Sequence, residues 1–133
     1  VSRNFESTSY GQFAEGYFLT RKTMQHFWQM YVGDGVAPPY ADLLAVEDLT
    51  GLPPATVITC GLDPLSSEGQ IYSQRLAEAG VEVTALHAHG LLHGIWFMDA
   101  TGRRAYQFGL DIAGALRRAA ADATISTRFS PSI

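Results

Sequence analysis

The sequence has one cysteine, no run of basic residues and no long apolar stretch, and each scarcity removes a class of protein. A lone Cys60 allows no intrachain disulfide, which suits a reducing compartment and rules out a disulfide-stapled scaffold. Only 9 Lys plus Arg stand against 13 Asp plus Glu, a formal charge of −4, so the chain offers no counterion-releasing surface for a phosphate backbone. Nucleic acid is therefore not an expected partner. The Arg103-Arg104 and Arg117-Arg118 pairs read as solvated helix residues. Apolar runs such as Gly94 to Met98 fall far short of the roughly 18–20 residues that a membrane-spanning helix needs. The first ten residues lack a basic segment followed by an apolar one, so they do not read as a secretory signal, and a cytoplasmic location is expected. What remains is ordinary globular composition, 47% hydrophobic and 11% aromatic, in 133 residues, which is room for one domain or part of a larger one.

The pattern along the chain is that of an α/β protein. Residues 1–19 have no clean period and read as loop with a short helical turn. Met24, Phe27, Trp28 and Tyr31 recur at i, i+3, i+4 and i+7, predicting a helix capped by Thr20 and ended by Gly33. The Gly- and Pro-containing segments 33–40 and 51–54 are loops. The β-branched run 55–60, closed by Gly61, predicts a strand buried on both faces. A helix follows, capped by Ser66 or Ser67 with Gln70 completing a capping box, facing inward through Ile71, Leu76 and Ala79 and ending at Gly80. Residues 81–87 alternate as a second strand. Strand, helix and strand make a right-handed βαβ unit with parallel, adjacent strands. Ala105, Phe108, Ile112, Leu116 and Ala119 predict a long amphipathic helix to about Ala121, leaving 122–133 as a frayed tail after a portion spanning 1–121.

In open α/β sheets, reactive groups gather beyond the carboxyl ends of parallel strands. Asp63 follows the first strand and His93 the second. Adjacent parallel strands lie only about 5 Å apart, so the two following loops can bring these side chains into contact. A carboxylate that accepts one imidazole N–H fixes the tautomer and leaves the other nitrogen free to take a proton from a nucleophile. Asp beside Pro64 is also a common turn pair, so spacing alone does not decide the role. His87, His89 and His93 suggest a metal cluster, but no carboxylate or cysteine joins the run and partly exposed strand-end histidines are the simpler reading. Cys60 sits in a strand body rather than on a sharp turn, where a small buried apolar role outweighs a nucleophilic one.

The string Gly51-Leu-Pro-Pro-Ala-Thr-Val-Ile-Thr-Cys-Gly-Leu-Asp-Pro-Leu65, with Glu68-Gly69, Tyr72, Leu76, Ala79-Gly80 and His93-Gly94, closely resembles the C-terminal part of the hormone-sensitive-lipase-like carboxylesterases, of α/β-hydrolase fold. Glu15-Gly-Tyr-Phe-Leu-Thr20 and Phe27-Trp28 are similar to the segment that packs near the substrate pocket there, and the resemblance spans about residues 10–120. It implies Asp63 as triad acid and His93 as triad base, acting on short or medium acyl esters without a metal or organic cofactor. Tyr17, Phe18, Trp96 and Phe97 become candidates for the substrate pocket, with ordinary core packing as the alternative. Relatives often carry a charged pair where this chain has Ser66-Ser67.

Two elements of that fold are missing from the 133 residues. No serine lies in a Gly-x-Ser-x-Gly elbow, and no His-Gly-Gly-type loop is present to supply an oxyanion hole. Only two strands are legible, while a sheet of this class commonly takes upwards of roughly 250 residues. The expectation is the C-terminal portion of an esterase, inactive alone. It would associate with a missing N-terminal segment or with a second copy, through an open strand edge such as 81–87. A non-catalytic pseudo-hydrolase is the rival expectation.

Overall fold

The computed structural model describes residues 2–38, 40–95 and 102–129, with side chains of the final helix as far as residue 121. The chain divides at residue 95 into two compact units. In the first unit, α1 spans Thr8–Gln12 and α2 spans Arg21–Val32. The strand β1 covers Ala55–Leu62, α3 covers Ser66–Glu78 and β2 covers Val83–Leu92. The second unit holds α4, Arg103–Phe129. Among the described residues no helix is long and apolar enough to cross a membrane.

The local signals explain both ends of α2. Thr20 accepts the Thr23 N–H at 3.0 Å, satisfying one of the orphan donors of the first turn. Gly33 closes the helix at φ 67, where its N–H reaches the Gln29 carbonyl at 2.9 Å. Of the apolar stripe only Trp28 is buried, while Phe27 and Tyr31 are exposed. The first stretch, irregular in sequence, is organised by long-range bonds instead. The Arg3 guanidinium donates to the Gly33 and Gly35 carbonyls at 2.9 Å each, and Asp42 accepts the Arg3 N–H at 2.9 Å.

Strands β1 and β2 pair in parallel, with Ala55 opposite Val83 and Cys60 opposite Ala88, and α3 is the crossover between them. Both strands run past their expected ends, β1 to Leu62 and β2 to Leu92. The ladder survives Gly61 because the register shifts there and pairing resumes with Leu62 opposite Leu92. Only Thr59 and Cys60, on opposite faces, are buried in β1. The remainder is half-exposed, because among the described residues β2 and α3 are the elements packed most extensively against it.

The start of α3 departs from the expected capping box. Its N-cap is Leu65, which has no side-chain cap bond. Asp63 takes over instead: its carbonyl accepts the Ser66 N–H at 3.0 Å and its Oδ1 the Leu65 N–H at 2.8 Å, an Asx turn that pre-empts a serine cap. Leu76 packs with Leu49 and Val81 in a small core that Val46, Val57, Tyr72 and Ala79 surround, whereas Ile71 is exposed. Arg75 fastens the preceding loop by donating to the carbonyls of Leu44 and Val46.

In α4 the buried positions are Ala105, Phe108 and Ala115, with Leu116 exposed, so the inward stripe turns at 115 rather than 116. The helix runs beyond Ala121 to Phe129, into the segment expected to fray, since residues 122–129 contain no Gly or Pro to end it.

Helix α3 packs on β1 at Gly69 with no room for a side chain. A Cβ built on Gly69 would stand 2.5 Å from the Thr59 Cγ2, and Thr59 is itself buried. Gly69→Ala must push the helix off the strand, with an expected loss of about 1–3 kcal/mol by overpacking. Denaturant midpoints of the two chains at matched slope check this.

Candidate active site

The shift of register after Cys60 decides which residues meet. Gly61 approaches β2 so closely that a Cβ would lie 2.9 Å from the Gly90 nitrogen, and Gly90 adopts φ 70. Had Cys60 opposite Ala88 continued without interruption, Asp63 would face Leu91. His93 would lie two residues on, roughly 7 Å further along the strand. Because Leu62 instead pairs with Leu92, the next residue of each strand, Asp63 and His93, emerge side by side.

Their contact is direct. The His93 Nδ1 and Asp63 Oδ2 are 2.8 Å apart across 30 residues of sequence. Asp63 is 4% exposed and its other oxygen is occupied by the Leu65 N–H, so the carboxylate cannot turn away from the ring. The imidazole side chain keeps 40% of its surface exposed. The hydrogen bond to Asp63 raises the His93 pKa above its ordinary value; burial opposes the rise and the carboxylate charge adds to it. An imidazole anchored by one nitrogen to a buried carboxylate and open at the other is built to accept a proton from an approaching hydroxyl and return it. After the pair the backbone turns at Gly94, φ 66.

The other histidines have different employment. The His87 Nδ1 lies 2.8 Å from the Thr59 Oγ1, and its ring packs edge-on to His89 with centroids 4.3 Å apart. Burial, and after it His89, lowers the His87 pKa. His93 is thus turned to Asp63, and among the described residues no three His, Cys, Asp or Glu groups are gathered to hold a metal ion. A cavity of about 360 Å³ beside His87, lined also by Val57, Thr59 and Gln70, is lined by neither Asp63 nor His93. Cys60 is fully buried, and burial, with Asp63 nearby, pushes its thiol up to about 11, so at neutral pH it is a protonated packing residue.

Of the expected pocket residues, Tyr17 is half-buried and packs edge-on against Phe13 at 5.0 Å between centroids. Phe18 is 66% exposed and holds φ 72, a left-handed conformation that is costly for a bulky side chain. Trp96 and Phe97 lie outside the described residues.

Two polar residues of this region have buried roles that the sequence reading did not assign. Ser9 of α1 bonds both to the Pro64 carbonyl and to Ser67, which are 55 and 58 residues away. Glu68, 1% exposed in the first turn of α3, accepts the Ser2 N–H at 3.2 Å. Burial pushes the Glu68 carboxyl up to about 7; the Ser2 N–H opposes this, and the Asp42 and Asp63 charges add to it.

With this geometry in hand, comparison with known proteins is direct. The family profile described as alpha/beta hydrolase fold matches residues 1–97. An arylesterase of Saccharolobus solfataricus is 33% identical over 107 residues, 78% of this chain and 35% of that protein. The carboxylic ester hydrolase LipN of Mycobacterium tuberculosis is 35% identical over 92 residues, 67% of this chain and 24% of the relative. A solved bacterial heroin esterase superposes with a TM-score of 0.80 at 31% identity, covering 90% of this chain and 39% of that one. The chain belongs to the α/β-hydrolase fold family, among the carboxylesterases related to hormone-sensitive lipase. It spans about a quarter to a third of the length of the curated relatives that it matches.

The raised Glu68 value sets a pH dependence with a definite sign. The folded state holds this proton more tightly than the unfolded chain, so stability falls as pH rises from about 4.5 through about 7. Glu68→Gln should flatten the unfolding free energy across that window, as chemical denaturation at successive pH values will report.

Proposed function

We propose that the intact protein is a carboxylic ester hydrolase working through a Ser-Asp-His triad, to which these residues contribute Asp63 as acid and His93 as base. The observation that carries this reading is the 2.8 Å contact between a buried carboxylate and a half-open imidazole at the carboxyl ends of two parallel strands. The esterase activities named for the relatives support the same chemistry.

His93 takes the proton of a serine hydroxyl as that oxygen attacks the ester carbonyl, and gives it to the departing alcohol. It then takes a proton from the water that attacks the acyl-enzyme and returns it to the serine oxygen as the acyl–oxygen bond breaks and the carboxylic acid leaves. Asp63 holds the ring with Nδ1–H toward itself and stabilises the imidazolium formed at each transfer. The charge developing on the carbonyl oxygen needs backbone donors. Neither those donors' His-Gly-Gly-type loop nor a Gly-x-Ser-x-Gly elbow occurs in residues 1–133, so nucleophile and oxyanion hole are assigned to a segment outside them. Short or medium acyl esters are the proposed substrates, with the exposed ring of Phe18 and the half-buried ring of Tyr17 as pocket walls. No metal or organic cofactor enters the reaction as proposed.

The second strand edge of β1 has no partner among the described residues, which favours association with the segment that carries the nucleophile. A second copy meeting the outer edge of β2, the strand expected at residues 81–87 and found at Val83–Leu92, is the other association proposed. Residues 1–133 in isolation then form a non-catalytic piece of the enzyme.

In the intact protein, Asp63→Asn leaves His93 without an anionic partner and should lower kcat by on the order of 10⁴. Near-wild-type ester hydrolysis by a folded Asp63→Asn enzyme would assign the acid elsewhere. The purified 133-residue chain should show no turnover of p-nitrophenyl butyrate above buffer. Hydrolysis that disappears on His93→Ala would contradict the assignment of the nucleophile to another segment.

A further inference from the structure

The turn that presents Asp63 is gripped from outside itself. Helix α3 starts at Ser66 after the N-cap Leu65, which has no side-chain cap bond, leaving the Ser67 N–H among the donors of its first turn. Ser9, on α1 and 3% exposed, supplies the partner: its Oγ accepts the Ser67 N–H at 3.0 Å. The same hydroxyl donates to the Pro64 carbonyl at 2.6 Å, and the Ser67 Oγ accepts the Ser9 N–H at 3.1 Å in return. A single hydroxyl therefore holds the Pro64–Leu65 peptide and the helix turn just beyond it.

We propose that Ser9 is a positioning residue for the Asp63–His93 pair, locking the 63–67 turn so that the Asp63 carboxylate stays aimed at the imidazole. The proposal rests on the reading of that pair as triad acid and base. Asp63 Oδ1 is bound to the Leu65 N–H, inside the segment that Ser9 clamps. The Pro64 carbonyl and the Leu65 N–H belong to one peptide plane, so rotation of that plane away from Ser9 carries off the donor that holds the Asp63 carboxylate and frees it to turn from the His93 Nδ1. The Ser67 hydroxyl completes the reciprocal pair with Ser9.

The readout is the His93 imidazole, because a serine that only stabilises the fold would leave its titration unchanged. Proton–nitrogen NMR spectra of the 133-residue chain across pH 5–9 follow the ring in wild type, Ser9→Ala, Ser9→Thr and Asp63→Asn. Asp63 raises the His93 midpoint, and its charge is also felt by Cys60, Tyr10 and Glu68, so the Asp63→Asn chain defines the floor. The expected result is a wild-type midpoint above about 6.5. Ser9→Ala should fall at least halfway to the floor, and Ser9→Thr, which keeps the hydroxyl, should stay near wild type. A folded Ser9→Ala chain with the wild-type midpoint overturns the proposal while leaving the triad reading intact. A wild-type midpoint already at the floor overturns the triad reading itself. Should Ser9→Ala fail to fold, Ser67→Ala, which removes only one of the three bonds, must give a smaller fall in the same direction; no fall refutes the role of Ser9.

Discussion

The candidate site depends on a mismatch in the β1–β2 ladder. Parallel strands of equal pitch carry residues forward in step, and in step Asp63 would meet Leu91 rather than His93. The break after Cys60 absorbs two extra residues of β2 against β1, and it is possible because Gly61 lacks a Cβ where the Gly90 nitrogen comes close and Gly90 can adopt a positive φ. The cost is a local loss of regular pairing. The gain is a 2.8 Å contact between groups that follow two separate strands.

Around that contact, each oxygen of Asp63 has a distinct task. One holds the turn that starts α3 and the other holds His93, so the carboxylate links helix initiation to the orientation of the base. This explains why the serines that look like caps in the sequence are not: Asp63 arrives first in the chain and closes the turn before them. Ser66 instead accepts a bond from the Gln70 Nε2 at 3.2 Å, and Ser67 turns to α1. Behind the pair, Glu68 and Tyr10 are buried close enough to feel the Asp63 charge, and burial shifts both toward their neutral forms.

The legible parts of the fold were those governed by short-range rules. The helix Arg21–Val32 has its threonine cap and glycine stop within the chain segment itself, and the crossover between parallel strands follows from strand, helix and strand in that order. Asp63 and His93 were legible as positions, since loops after adjacent strands converge. Errors arose where a distant residue competes with a local one. Ile71 and Leu116 fit an apolar period yet are exposed, and β1 is half-open rather than covered, because burial depends on which layers are present beside it. Ser9 carries no pattern at all: its partners lie 55 and 58 residues downstream.

By itself, then, the sequence determined the class of fold, the order of its elements, the family to which the chain belongs and the two residue types that can exchange a proton. It did so because propensity, caps and a hydrophobic period act over a few residues and are written in consecutive letters. Only the tertiary structure decided that the ladder slips at Gly61, that Asp63 spends one oxygen on α3 and one on His93, and that a serine on α1 grips the turn between them. Those outcomes depend on distances between segments far apart in the chain, and distance in space has no fixed counterpart in distance along it.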